Sequence, residues 1–250
     1  LIRDILRNTI LLPVNGSGRV SGFLRMSDYY AAKLSAERLA RVYELAGPRV
    51  RQYLAAEIDY VRRHLGPGDR VLELGCGYGR VLTPLSRQAG LAVGVDTAKG
   101  GLTWAVQRGL LSDKVQVAAM DASRLGFPND AFDAVVCIQN GISAFGVDPE
   151  TLIDEAARVA RPGGRVFFSS YADAFWPHRL EWFRRQAEAG LLGPINEAAT
   201  GDGVIVCRDG FRAVTFTPDD FRRLTDRLGL TADIVEVDRS AVFCVIRIEP

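Results

Sequence analysis

The sequence predicts an α/β fold built on a doubly wound, mostly parallel sheet. Three observations carry that prediction. An apolar run passes into alternate glycines at Val71-Leu72-Glu73-Leu74-Gly75-Cys76-Gly77-Tyr78-Gly79-Arg80. A second apolar run, Leu91-Ala92-Val93-Gly94-Val95, ends on the acid Asp96. Short apolar runs then keep alternating with helical patterns. In the first segment the glycines allow a tight turn and let a ligand touch main chain. Val81-Leu82-Thr83-Pro84-Leu85 follows as a helix start, where proline is tolerated because its missing N–H has no intrahelical partner. Strand, glycine turn and helix start together form the leading edge of a nucleotide-binding unit.

At 250 residues the chain has room for one large α/β domain, or for a domain with a small lid. Its 48% hydrophobic and 24% charged residues supply an ordinary globular core. The 31 basic and 30 acidic side chains leave a net charge of +1, which gives no general attraction to nucleic acid or to a membrane. Cys76, Cys137, Cys207 and Cys244 lack C-x-x-C spacing and read as buried thiols. With only His64 and His178 besides, no metal site is expected. No apolar run approaches the roughly 20 residues of a membrane span. Leu1-Ile2-Arg3-Asp4-Ile5 mixes charge with apolar residues and does not read as a secretory signal, so the expected location is cytoplasmic.

Residues 1–12 suggest an amphipathic helix with Ile2, Ile5, Leu6 and Ile10 on one side, and Pro13 to Gly22 reads as a loop. A helical pattern from about Ala31 to Ala46 ends at Gly47-Pro48. A second runs from about Arg49 to Leu65, with Val50, Tyr53, Leu54, Ile58 and Val61 on one face. Beyond the glycine segment, Val115 to Ala122 is a third strand. A turn at Pro128-Asn129-Asp130 leads into a fourth, which ends in Gln139-Asn140-Gly141. Asp148 to Arg161 is helical, Pro162-Gly163-Gly164 closes it, and Arg165 to Ser170 is strand five. The stretch from Tyr171 to Gly203 has helix potential over His178–Gly190. Val204–Cys207 and Phe211–Thr217 flank the hairpin turn Arg208-Asp209-Gly210. Thr217 caps a helix to about Leu228, and Ala232–Val237 and Ala241–Ile248 are two further strands.

An acid two residues before G-x-G-x-G, with Arg80 where a dinucleotide fingerprint has its third glycine, resembles motif I of the class I S-adenosylmethionine (SAM) methyltransferases. The segments LGFPNDAFDAVVC and ARVARPGGRVFFSS are similar to the same family, so the resemblance covers about residues 70 to 170. It implies a Rossmann-like, seven-stranded sheet. It also implies a helical lid over residues 1–65 and a SAM-binding catalytic domain over 66–250, with an insertion at about 171–203. By the same resemblance Glu73 fixes the glycine loop or the cofactor's amine, and Gly75, Cys76, Gly77 and Gly79 lie along the cofactor. Asp96 with Thr97 grips the ribose; a helix N-cap is the other role open to that pair. Asp121 with Ala122 meets the adenine amine, or else Asp121 is a loop acid. Gln139 faces the methionine half, and Arg49 or Arg80 pairs with its carboxylate, the alternative for both arginines being the surface.

For an acceptor pocket the candidates are Tyr29, Tyr30, Gln139, Asn140, Tyr171, Trp176, His178 and Arg212. Tyr30, Asn140, Tyr171 and His178 are the catalytic candidates; His178 reads either as a base or as a structural ring. Asn140-Gly141 is open to a plain turn role. The implied reaction is methyl transfer from SAM to a small-molecule acceptor by in-line displacement. The alternatives are a SAM-consuming cyclase or lyase of the same fold and a non-catalytic SAM-binding module. Arg80 speaks against a nicotinamide oxidoreductase. A homodimer formed through the N-terminal helix is a further expectation.

Overall fold

The computed structural model describes Ile2, Leu6 and residues 26–250, with the side chains of 26–28 outside that description. The helix expected over residues 1–12 and the Pro13–Gly22 loop lie outside the described residues, apart from Ile2 and Leu6, which are both buried against the core. The elements run α1 Met26–Lys33, α2 Ala36–Glu44, α3 Pro48–Arg62, β1 Arg70–Leu74, α4 Leu82–Ser86, β2 Leu91–Asp96 and α5 Lys99–Gln107. Next come β3 Val115–Ala119, β4 Phe132–Cys137, α6 Pro149–Val159, β5 Ala160–Tyr171 and α7 Trp176–Glu188. The chain closes with β6 Val204–Val206, β7 Arg212–Val214, α8 Pro218–Leu228, β8 Ala232–Val237 and β9 Ala241–Arg247.

Seven strands form one sheet in the order β3-β2-β1-β4-β5-β9-β8, with β6 and β7 paired separately. The first five are parallel, and β9 enters antiparallel between β5 and β8. This is the expected seven-stranded, mostly parallel, doubly wound sheet. Alternation along the strands builds a core on each face. Val71, Val136, Phe167 and Phe243 pack toward α3 and α7, whereas Leu72, Val135, Phe168 and Cys244 pack toward α6 and α8. The four cysteines are buried and free. No described helix is long and apolar enough to cross a membrane.

Three local differences from the sequence reading have physical causes. The helix expected over 31–46 breaks at Leu34-Ser35, because Ser35 takes an extended N-cap conformation and Ala36 turns to φ +53°. The Arg38 guanidinium then closes the gap by donating to Lys33 O at 2.7 Å. Strand β3 stops at Ala119, before Asp121, and β5 starts at Ala160 rather than Arg165. The Pro-Gly-Gly turn is drawn into the sheet margin, where Gly163 N–H donates to Ile248 O at 2.8 Å. Asp133 is a framework residue: it accepts from Arg70 N–H at 2.8 Å and pairs with Arg161.

Gly94, in the middle of β2, is where the glycine loop is packed from below. A Cβ there would lie 2.6 Å from Cys76 Sγ and 2.6 Å from Leu82 Cδ1. Gly94→Ala should therefore cost about 1–3 kcal/mol through overpacking, read as a lower midpoint in urea; an unchanged midpoint would contradict this packing.

Candidate cofactor and acceptor cleft

The carboxyl ends of β1, β2 and β4 open onto one cleft, as they must where the strand order reverses between β1 and β4. It encloses about 1230 Å³ of empty space, its open mouth included. The floor is the glycine loop. Gly75 N–H and Cys76 N–H both donate to Val95 O, at 2.8 and 3.0 Å, which locks the loop to β2. Gly75 and Gly77 stand at φ +72° and +55°, a region costly for other residues. Ideal Cβ atoms on them would meet Phe145 at 3.0 Å and Leu39 at 2.8 Å.

Asp96 ends β2 at the edge of this floor. Its Oδ2 accepts from Gly77 N–H and its Oδ1 from Ala98 N–H, each at 2.7 Å. The carboxylate thus anchors the glycine loop and starts α5, and each oxygen keeps a second lone pair. Burial raises its pKa, with backbone donors pulling the other way. Glu73 is buried below the loop, and its Oε2 has no hydrogen-bond partner among the described residues. Burial pushes this carboxyl up to about 8, against the pull of Arg80. An unpartnered acceptor lining a cleft beside bare main chain fits the ammonium of an amino-acid arm, which would supply the missing donor. These residues therefore fit SAM.

The far wall comes from the turn after β4. Gln139 and Asn140 stand consecutively at φ +60° and +61°, an uncommon pairing for non-glycine residues. Buried serines hold it there: Ser169 Oγ accepts from Gln139 N–H at 2.9 Å, and Ser170 O–H donates to Asn140 Oδ1 at 2.7 Å. Arg80 donates to Gln139 Oε1, and its guanidinium lies 4.1 Å from the centre of the Tyr43 ring. The roof is built by Leu34, Ser35, Leu39 and Tyr43 of the N-terminal helices with Phe183 of α7.

Of the residues singled out in the sequence, Tyr30, Glu73, Gly75, Cys76, Gly77, Asp96, Thr97, Gln139, Asn140 and Tyr171 line this cleft together. Others do not. Gly79 is a packing glycine, closing the turn through its N–H to Cys76 O at 2.8 Å, with Leu110 against the place of its Cβ. Asp121 closes its own turn, since its Oδ1 accepts from Ser123 N–H and O–H at 2.9 and 2.7 Å, and Ala122 is buried in the core. Arg49 pairs with Asp238 at 2.5 Å instead of reaching the cleft. His178 is exposed on α7, its ring beside Phe175, because α7 turns Arg179 inward instead. Tyr29 donates to Asp209 at 2.6 Å, which ties α1 to the β6–β7 turn, and Trp176 and Arg212 also lie off the cleft.

Two interior charges escaped the sequence reading. Arg179 is fully buried, donating to Gly203 O, Ala213 O and Thr215 Oγ1, with the Tyr171 ring 4.3 Å from its guanidinium carbon. Glu57 is fully buried on α3. Burial pushes its carboxyl up to about 8, against facing groups on Ser169, Tyr53 and Arg80. The folded chain therefore holds this proton more tightly than the unfolded chain. That stabilisation is complete below the ordinary value of 4.5 and is lost as pH rises through about 8. Glu57→Gln, which keeps the protonated shape, should then be more stable than the native chain at about pH 9 by at least ~1.4 kcal/mol and nearly equal to it at about pH 4. Melting curves at both values check this; a gain of equal size at both would contradict it.

Residues 72–168 match the family described as a methyltransferase domain. Methyltransferase GfsG of Streptomyces halstedii is 34% identical over 125 residues, 48% of this chain and 42% of its own length. The demethylmenaquinone methyltransferase of Mycobacterium marinum is 37% identical over 108 residues, 43% of this chain and 44% of its own. The chain thus spans under half the length of these curated relatives. Among solved structures, N-methyltransferase NodS of Bradyrhizobium japonicum, in complex with S-adenosylhomocysteine, shares the fold at a TM-score of 0.60 and 17% identity, over 91% of this chain and all of that one. The glycine-floored cleft at the head of the sheet and the matched segment agree: residues 72–168, similar to a methyltransferase domain, carry the glycine loop, Asp96 and the turn after β4, in a fold shared with solved methyltransferases.

Proposed function

We propose that this chain moves the methyl group of SAM onto a nucleophilic atom of a small-molecule acceptor. The observation that carries this reading is the convergence, in one roofed cleft, of the Gly75–Gly77 main chain, the Asp96 carboxylate and the unpartnered Glu73 oxygen. SAM, when bound, supplies a methyl group already activated on sulfonium. The chain's own task is to bind, align and exclude water, and alignment alone supplies roughly 7–11 kcal/mol. Asp96 accepts from the ribose hydroxyls, Glu73 from the amine, and Tyr30, Asn140 and Tyr171 shape the acceptor side. In this reading residues 1–65 are the lid over a 66–250 catalytic domain, and the segment 171–203 gives the acceptor wall. The near-neutral charge supports neither nucleic acid nor membrane as a partner, and the chain works in the cytoplasm, as a monomer or a homodimer.

The test is incubation with methyl-labelled SAM and a low-molecular-mass metabolite extract. The expected result is S-adenosylhomocysteine formed only when extract is present, with the label in a small product. Release of methylthioadenosine, or SAM binding with no turnover, would favour the cyclase-or-lyase reading or the binding module instead.

A further inference from the structure

Gln139 and Asn140 stand side by side at the head of β4, but their side-chain amides are used differently. The Gln139 amide is engaged at both ends: its Oε1 accepts from Arg80 and its Nε2 donates to Leu54 O at 3.4 Å. Asn140 is engaged through its oxygen alone. Phe216 N–H donates to Ser170 Oγ at 2.8 Å, and the Ser170 hydroxyl donates to Asn140 Oδ1 at 2.7 Å. Both Ser170 and Asn140 are buried. Turning the amide over would leave the buried hydroxyl with no acceptor among the described residues. Oδ1 therefore stays on Ser170, and Nδ2, with no partner among the described residues, is presented to the cleft that Asn140 lines. Ser143 repeats the arrangement three residues on. Gly141–Ser143 is a single 3₁₀ turn, closed by Ser143 N–H to Asn140 O at 3.1 Å, and side chains three apart in such a turn eclipse each other. Ser143 Oγ accepts from Val214 N–H at 2.9 Å, which leaves its own proton to donate, and Ser143 also lines the cleft.

These two donors lie away from Asp96. The sheet order puts β2 two strands from β4, about 10 Å at the ordinary strand spacing, and Ser170 behind Asn140 belongs to β5, one strand further. The wall around them is formed by Ile138, Tyr171, Phe183 and Ala213. Among the described residues, the charged side chains lining the cleft are Glu73, Arg80 and Asp96. Glu73 and Asp96 serve the cofactor in the reading above, and Arg80 is held by Gln139 and the Tyr43 ring. Burial pushes the Tyr171 phenol up to about 12, so it stays neutral. The acceptor side thus offers oriented donors and no free charge.

We propose that Asn140 and Ser143 select the acceptor: Asn140 Nδ2–H and Ser143 O–H together hold a carbonyl oxygen of the small molecule that is methylated. This rests on the methyl-transfer reading above. A carbonyl oxygen accepts two hydrogen bonds on its two lone pairs and needs no counter-charge from the chain. An ammonium brings only donors to a wall of donors and leaves them unpaired. The substrate class is therefore an apolar molecule bearing a carbonyl group, and charged amines are refused. Refusal of this kind is strong, because the mismatched ligand leaves buried polar groups of the site without partners.

The experiment is calorimetry in two stages. S-adenosylhomocysteine is titrated first; if the folded native chain does not bind it, the cofactor reading fails and this assignment falls with it. The chain saturated with S-adenosylhomocysteine is then titrated with acetophenone and with 1-phenylethylamine, two probes of one skeleton that differ as carbonyl and ammonium. The native chain should bind acetophenone at least about tenfold more tightly. Asn140→Asp keeps an acceptor for the Ser170 hydroxyl and exchanges the open donor for a carboxylate, so the order of the two probes should reverse. Asn140→Gly removes the donor and leaves the turn unstrained, since glycine adopts φ +61° freely. It should weaken acetophenone about threefold to tenfold, the worth of one hydrogen bond, with S-adenosylhomocysteine affinity unchanged. Equal binding of the two probes by the native chain, no binding of acetophenone, or an unchanged order in Asn140→Asp overturns the assignment. An equal loss of S-adenosylhomocysteine affinity in Asn140→Gly overturns it as well, because the amide would then hold the cofactor's carboxylate.

Discussion

Asp96→Ala should weaken binding of both SAM and S-adenosylhomocysteine by more than about 100-fold. Two effects add. The ribose loses a charged acceptor, and hydrogen bonds to an ionised group contribute about 1.5–3 kcal/mol each. The floor of the site also loosens, because the same carboxylate holds Gly77 N–H and Ala98 N–H at 2.7 Å. A loss of about 3 kcal/mol corresponds to the stated factor. Calorimetry on a variant with native circular dichroism checks it. Affinity within threefold of native would mean that Asp96 serves only to shape the turn.

Arg179→Met should destabilise the chain by about 2–4 kcal/mol, because buried acceptors lose a charged donor. A buried ionic group replaced together with its partners by apolar side chains can leave stability unchanged. Here the partners stay. Gly203 O at 2.9 Å and Ala213 O at 3.2 Å belong to the backbone and would be left without this donor. Thr215 Oγ1 would lose it as well, though its own bond to Gly203 O, at 2.9 Å, remains. The contact with the Tyr171 ring is lost too, at about 0.5–2 kcal/mol. Urea unfolding gives the number directly, and a loss below about 1 kcal/mol would show that the surrounding carbonyls find other donors.

The parts of the site that were legible are those written in consecutive residues. The glycine loop is a local turn, and Asp96 sits at a strand end, so both could be placed from spacing alone. Asp121 has the same sequence signature as Asp96, an acid just past an apolar strand, but Ser123 two residues later captures its carboxylate. Asp96 is held the same way by Ala98, so what separates the two acids is place: β2 carries Asp96 to the cleft, whereas β3 stops at Ala119 and leaves Asp121 in a turn off it. Arg49 was drawn away by Asp238, a partner 189 positions distant that no local pattern reveals. His178 reads from the sequence either as a base or as a structural ring, and α7 is amphipathic and turns Arg179 inward instead, the residue flanked at helical spacing by Trp176, Trp182 and Phe183. That spacing was available as a signal. So was Glu57, four residues after Tyr53 and four before Val61, an acid set in an otherwise apolar helix face. A charge interrupting a buried stripe is a stronger pointer to chemistry than a lone histidine on an exposed turn.

Calorimetric titration of the folded native chain with SAM and with S-adenosylhomocysteine tests the central claim most directly. The arrangement of Glu73, the Gly75–Gly77 main chain and Asp96 predicts saturable binding of both ligands at one site per chain, competitive with each other. A folded chain that binds neither would contradict it, and the cleft would then be a glycine-rich turn without a ligand.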